Sequence, residues 1–141
     1  MAENGTGNAA LETSRQLVRA YFDAVTAGEL PDRILTDDMT AWLTTQGPIS
    51  KREYQEAIRL LKRMCAQPIQ FTIDAITAEE DRAVAEAHSK ATLIDGKLYE
   101  MTYVFCFRIR DGRIAWIAEH YNAFVAQEKL FPLMGQLTRP G

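Results

Sequence analysis

The sequence predicts an α+β domain, a cone of three helices curled over a curved antiparallel sheet. Three observations carry that prediction. Apolar residues recur at helical spacing in the first half of the chain, they alternate with polar ones in the second half, and two Asp-Gly pairs divide that second half into hairpins. At 141 residues the chain is the size of one domain with one core.

Val18, Tyr21, Phe22 and Val25 fall at i, i+3, i+4 and i+7, so a helix is expected over Glu12 to Ala27, with Gly28 as its stop. Pro31 fits the first turn of a short second helix through Leu35, ended by Asp37 and Asp38. Met39 to Thr45, with Trp42 among small and β-branched residues, reads as a strand broken by Gln46-Gly47-Pro48. Ser50 and Glu53 form a capping box ahead of the stripe Tyr54, Ala57, Ile58, Leu61 and Cys65, which gives a third helix over Lys51 to Cys65. Beyond Pro68 the period is two. Four strands are expected, the last three over Arg82 to Ile94, Leu98 to Ile109 and Arg113 to Asn122. Residues 1–10 read as a flexible tail, 11–126 as the domain, and 127–141 as a C-terminal tail, with at most a short helix near Phe124 to Leu130.

Register decides which side chains face the helices. Type I turns with a glycine bulge would pair Leu93 with Lys97 and Ile109 with Arg113. Ala85, Ala87, Ser89 and Ala91 then share a face with Tyr99, Met101, Tyr103, Phe105 and Phe107, and with Ala115, Ile117, Glu119 and Tyr121. Small residues opposite rings imply a hollow, a binding site for an apolar small molecule. The reverse face takes Glu86, His88, Lys90, Thr102 and His120, together with Val104, Cys106, Ile114 and Trp116, whose apolar area suggests a homodimer through the outer sheet face or cover by the tail.

Hydrophobic residues make up 47% of the chain and charged residues 25%, and the net charge is −3, which argues against nucleic acid and membrane as partners. The N-terminus lacks a secretory pattern, so a cytoplasmic protein is expected, with Cys65 and Cys106 as free thiols. No cofactor is expected. His88 and His120 lack a clear third ligand, so no metal site is expected either.

Tyr21 to Leu30, Thr40-Ala41-Trp42, and Tyr103 to Ile114 running into Glu119-His120-Tyr121-Asn122 resemble the NTF2-like (cystatin-like) superfamily. Within it they resemble the SnoaL-like polyketide cyclases, ketosteroid isomerases and limonene epoxide hydrolases. The isomerase resemblance implies Tyr21 as an oxyanion donor, but places Trp42 and Leu43 at the general base and Phe105 at the second acid. The epoxide hydrolase resemblance puts Ala87 and Ser89 at an Arg and an Asp, and Glu119 at a second Asp. A SnoaL-like cyclase needs only a pocket carboxylate as acid/base, which suits this sequence best.

Glu119, set between Ile117 and Tyr121 and across from Tyr103, is therefore the candidate acid/base, with Tyr21 and Tyr103 as candidate oxyanion donors. Trp42, Tyr54, Ala87, Ser89, Tyr99, Met101, Phe105, Ile117 and Tyr121 are the candidate ligand-binding residues. The bland readings are a carboxylate satisfied by a Tyr or an Arg, and tyrosines that are simply core. The resulting expectation is an isomerase or cyclase acting by proton transfer on a hydrophobic cyclic or polyketide-like carbonyl compound. Noncatalytic binding of an apolar ligand and epoxide hydrolysis are the alternatives.

Overall fold

The computed structural model describes the backbone of residues 2–138 and side chains from residue 9 onward. Helix α1 spans Ala2–Ala27, so helical backbone begins well ahead of Glu12. Met1, part of the expected tail, lies outside the described residues. Val18, Tyr21, Phe22 and Val25 are all buried, as the stripe requires. Gly28 stops the helix with φ of 84°, a conformation that costs a glycine nothing. It also makes room: a Cβ at Gly28 would meet the Lys62 side chain, whose Nζ donates to the Ala27 carbonyl at 2.7 Å.

The expected second helix is a single 3₁₀ turn, Asp32–Ile34. Strand β1 starts directly after it and covers Leu35–Leu43, so Asp37 and Asp38 belong to a strand, with Asp38 paired to Arg110 at 2.5 Å. Gly47 has φ of 71° and opens β2, Gly47–Ser50, which folds back antiparallel on β1. Ser50 and Glu53 form the capping box of α2, Lys51–Met64. The remaining strands are β3 (Gln70–Ala78), β4 (Arg82–Thr92), β5 (Leu98–Arg110) and β6 (Arg113–Tyr121).

The strands form one sheet in the order β2-β1-β6-β5-β4-β3. It is mixed, because β1 lies parallel to β6 while every other pair is antiparallel. A parallel neighbour needs a long crossover, which here is the rest of the domain between Leu43 and Arg113.

The first Asp-Gly hairpin has the bulged register, with the Leu93 N–H donating to the Lys97 carbonyl at 2.9 Å. The second does not. Asp111 and Gly112 both have positive φ, 54° and 72°, which makes a two-residue turn of type I′ that pairs Arg110 with Arg113. One residue of β6, Ala115, is then inserted between the pairs Ile109–Ile114 and Arg108–Trp116. The bulge restores the parity that the tight turn reversed. Ile117, Glu119 and Tyr121 therefore still face inward, although Glu119 lies across from Phe105 and Tyr103 across from Tyr121. Ahead of the bulge Ile114 turns inward and is fully buried, not part of the outer face. On that outer face Val84 and Val104 are exposed, and Arg108 lies over the Trp116 ring at 4.4 Å.

Asn122 caps the helical run that ends the described chain, its Oδ1 accepting from the Phe124 and Val125 N–H groups. The run comprises α3 (Ala123–Val125), a π-helical turn (Ala126–Leu130) and α4 (Phe131–Thr138). It is longer than the expected helix, and it continues through Pro132, which lies just after the π-helical turn, to Thr138. Residues 139–141 of the expected tail lie outside the described residues. No helix among the described residues is long and apolar enough to cross a membrane.

Candidate functional site

Small residues do face rings across β4 and β5, as Ala83–Phe107, Ala85–Phe105 and Ala87–Tyr103. They leave no hollow. The rings and α1 fill the space: Phe105 lies 4.9 Å from Phe22, 5.0 Å from Tyr103 and 5.7 Å from Tyr21, measured between ring centroids. Of the residues expected to line a pocket, Ala87, Met101, Phe105 and Ile117 are thus buried core. Trp42 is also misplaced. Its neighbours Ala41 and Leu43 point inward, so strand alternation sends Trp42 outward, where its ring lies 4.9 Å from that of His120. His88 sits on the outer face as expected, with Nδ1 2.8 Å from Asp74.

The cavity lies further along the cone, between α2, the ends of β5 and β6, and the C-terminal helical run. Its volume is about 100 Å³. Tyr54, Ala57, Ile58, Leu61 and Met64 of α2 make one wall, and Leu43, Thr45 and Gln46 follow from the end of β1. Tyr99, Tyr103, Glu119 and Tyr121 project from the sheet, and Ala126, Leu130, Phe131 and Met134 close the remaining side. Of the expected site residues, the structure brings Glu119, Tyr54, Tyr99, Tyr103 and Tyr121 together here.

Glu119 is held from both sides. Leu43 pairs with it across the parallel ladder, and the Tyr54 hydroxyl donates to its Oε2. Tyr54 has one proton and gives it to the carboxylate, so its oxygen accepts from the Tyr21 hydroxyl. The result is a directed chain, Tyr21 to Tyr54 to Glu119. Tyr21 is fully enclosed and stands one hydroxyl away from the cavity wall. It therefore cannot touch a ligand, and the role of direct oxyanion donor does not fit it.

Oε1 of Glu119 has no hydrogen-bond partner among the described residues, yet no enclosed side-chain oxygen is unsatisfied. That oxygen is open to the cavity. The apolar walls desolvate the carboxyl and push its pKa up from 4.5 to about 7, against the lowering effect of the Tyr54 bond. Burial, reinforced by the charge of Glu119, holds the Tyr21 and Tyr54 hydroxyls well above their ordinary range, so both stay protonated.

A second set of hydroxyls lines the same cavity. The Tyr103 hydroxyl lies 2.7 Å from Ser89 Oγ and 3.1 Å from the Tyr99 hydroxyl. Ser89 is buried behind Tyr103 and does not reach the cavity, although the sequence suggested that it would. Tyr121 is tied to Thr45 Oγ1 at 2.5 Å.

Removing the Tyr54 hydroxyl isolates its contribution. In Tyr54→Phe the pKa of Glu119 is expected to rise above about 7, since the bond that favours the ionised form is lost. Tyr21 also loses its acceptor, and the variant should be less stable by about 1–3 kcal/mol. A carboxyl titration followed by NMR checks the first expectation and urea unfolding the second. An unchanged Glu119 pKa would mean that the Tyr54 bond has no hold on the carboxyl.

An inward-curved mixed sheet under helices, with one end closed by a C-terminal helical run, is an NTF2-like fold. Residues 18–117 match the model of the SnoaL-like domain, and the chain belongs to that family. Solved structures agree on the fold. An NTF2-like protein from Anabaena variabilis is 22% identical, with 80% of this chain and 89% of that chain covered at a TM-score of 0.70. PrhC from Penicillium brasilianum is 17% identical, with 91% and 92% covered at a TM-score of 0.77. A Jannaschia protein provisionally named a SnoaL-like polyketide cyclase is 13% identical, with 92% and 94% covered at 0.68. Comparison with curated proteins gave no match.

The α2 wall beyond Tyr54, the β1 end at Leu43, Thr45 and Gln46, and the four C-terminal residues were not among the expected lining residues. The helical stripe of α2 was visible and runs straight along the cavity. For the C-terminal run the available signal was the i, i+4 spacing of Ala126, Leu130 and Met134.

Proposed function

We propose that this protein is a SnoaL-like isomerase or cyclase that moves a proton at carbon in a neutral, hydrophobic carbonyl compound. The observation that carries this reading is the Glu119 carboxyl, placed in the wall of an apolar cavity with one oxygen unspent and a pKa of about 7. A carboxylate of that pKa takes a proton from a carbon next to a carbonyl and returns it elsewhere without being trapped in either state.

The second set of hydroxyls supplies the complementary element. Ser89, Tyr103 and Tyr99 hold three protons and share two contacts, so one proton is left over. Ser89 has no other acceptor among the described residues, so its proton is assigned to Tyr103. The remaining proton is then delivered into the cavity by Tyr103 or Tyr99, where it can stabilise the oxyanion of an enolate. No Lys, Arg or His lines the cavity among the described residues, which favours a neutral ligand over an anionic one.

The test is exchange of the α-hydrogens of a panel of small cyclic ketones in deuterated water. The wild type should catalyse exchange with at least one member, with a rate that rises with pH to a plateau and a midpoint near 7, because the base is the ionised form. Binding without exchange by any ketone would instead favour a noncatalytic pocket.

A further inference from the structure

The cavity is small. At about 100 Å³ it is of the same order as the roughly 150 Å³ apolar cavity that takes up a single benzene ring, and so has room for about one ring. Three of its sides are fixed by the core: α2 is pinned by buried Tyr54, Ile58 and Met64, β1 by Leu43, and the sheet by the aromatic cluster. The fourth side is different. It is the helical run after Asn122, of which only Ala126 and Leu133 are fully buried, while Phe124 is 80% and Phe131 38% exposed.

We propose that Leu130, Phe131 and Met134 determine the specificity of the pocket by size, limiting it to compounds of a single ring or a short open chain. Resting on the same site as the proton-transfer reading, this inference adds the substrate class: small monocyclic carbonyl compounds, not fused polycycles. The three side chains sit at the junction of the π-helical turn and α4, with Met134 one turn beyond Leu130 and Phe131, and all three line the cavity. A π-helical turn is rare and lays an extra residue into the helix, which alters the angle at which Leu130 and the residues after it meet the pocket. Met134 and Leu130 also pack against the core, so they are held in place as a wall and are not free surface groups. Truncating either removes three heavy atoms from the outer wall and leaves the Glu119 side of the cavity untouched.

Phenol and 2-naphthol are the probes, since both are neutral and differ by one fused ring. Their affinities are measured by calorimetry for the wild type, Met134→Ala, Phe131→Ala and the control Phe124→Ala, whose ring is outside the cavity. The wild type should bind phenol more tightly than 2-naphthol, against the order of their hydrophobicity. Met134→Ala and Phe131→Ala should each shift the ratio toward 2-naphthol by about tenfold, and Phe124→Ala should leave it unchanged. Phe131 is partly exposed, so its variant stays informative if Met134→Ala fails to fold. The inference is overturned if the wild type prefers 2-naphthol, if neither wall variant moves the ratio, or if neither probe binds. Binding needs no turnover, so an inert Glu119 would leave the size limit standing, and an altered ratio would say nothing about Glu119.

Discussion

Glu119→Gln is expected to abolish catalysed proton exchange, lowering the rate by about 10²–10⁴-fold, and at the same time to stabilise the protein above neutral pH. The first effect follows because an amide cannot accept a proton at Oε1, yet its oxygen can still take the Tyr54 hydrogen bond. The geometry of the cavity should therefore survive. The second effect follows from linkage. Folding raises the pKa of Glu119 from 4.5 to about 7, so between those values the folded chain holds a proton that the unfolded chain releases. Stability is then lost as pH rises through that window, and the loss is complete above about 7. A shift of this size corresponds to as much as roughly 3 kcal/mol, the upper end applying if the cavity is dry. Glutamine carries no such dependence. Urea unfolding of both proteins should give nearly equal stabilities at about pH 4 and a variant more stable than the wild type at about pH 8. A variant less stable at both pH values would show that the carboxylate is held for structure and not for proton transfer.

Phe105→Ala should be the most damaging of the substitutions considered for stability, at about 3–5 kcal/mol. Its ring lies within 6.5 Å of five other rings, those of Tyr21, Phe22, Phe71, Tyr103 and Phe107, and it is 1% exposed. Truncation opens a void that α1 and the sheet cannot both close. The opposite expectation attaches to a pocket wall, where loss of a ring enlarges a cavity already present and costs little. Urea midpoints with an unchanged m-value measure the difference. A loss below about 1 kcal/mol would mean that the aromatic cluster is loosely packed and that the hollow lies where small residues face rings.

That contrast shows where the sequence is legible. Alternation over β4 and β5 identifies the inward residues correctly, because a strand has only two faces and one of them is plainly apolar. It does not say whether the inward side chains touch. The alanines of β4 leave space only if nothing enters it, and whether α1 enters depends on helix tilt, which no local pattern encodes. Trp42 illustrates the same limit. Its type suits a pocket, but its parity in β1 is settled by Met39, Ala41 and Leu43, all buried.

Glu119 was readable for a different reason. The expected turn at Asp111-Gly112 was one residue out, and the bulge at Ala115 then restored the parity, so the carboxylate faces inward opposite Phe105 where Tyr103 was expected. An inward carboxylate among apolar residues is a strong mark in sequence, since burial of a charge is costly. Its partner was much less visible. Tyr54 lies 65 residues away on α2, and only the packing of α2 against the sheet brings the two together. The wall formed by Leu130, Phe131 and Met134 is obscured in the sequence by Pro132, which reads as a break although the helical run continues through it.

Glu119 is expected to exchange its proton near neutrality inside the cavity. A pH titration of the side-chain carboxyl carbons by ¹³C NMR, with Glu119→Gln to assign the resonance, measures this directly and needs no substrate. One glutamate is expected to titrate near 7 and to vanish in the variant. A Glu119 resonance with its midpoint near 4.5 would contradict it.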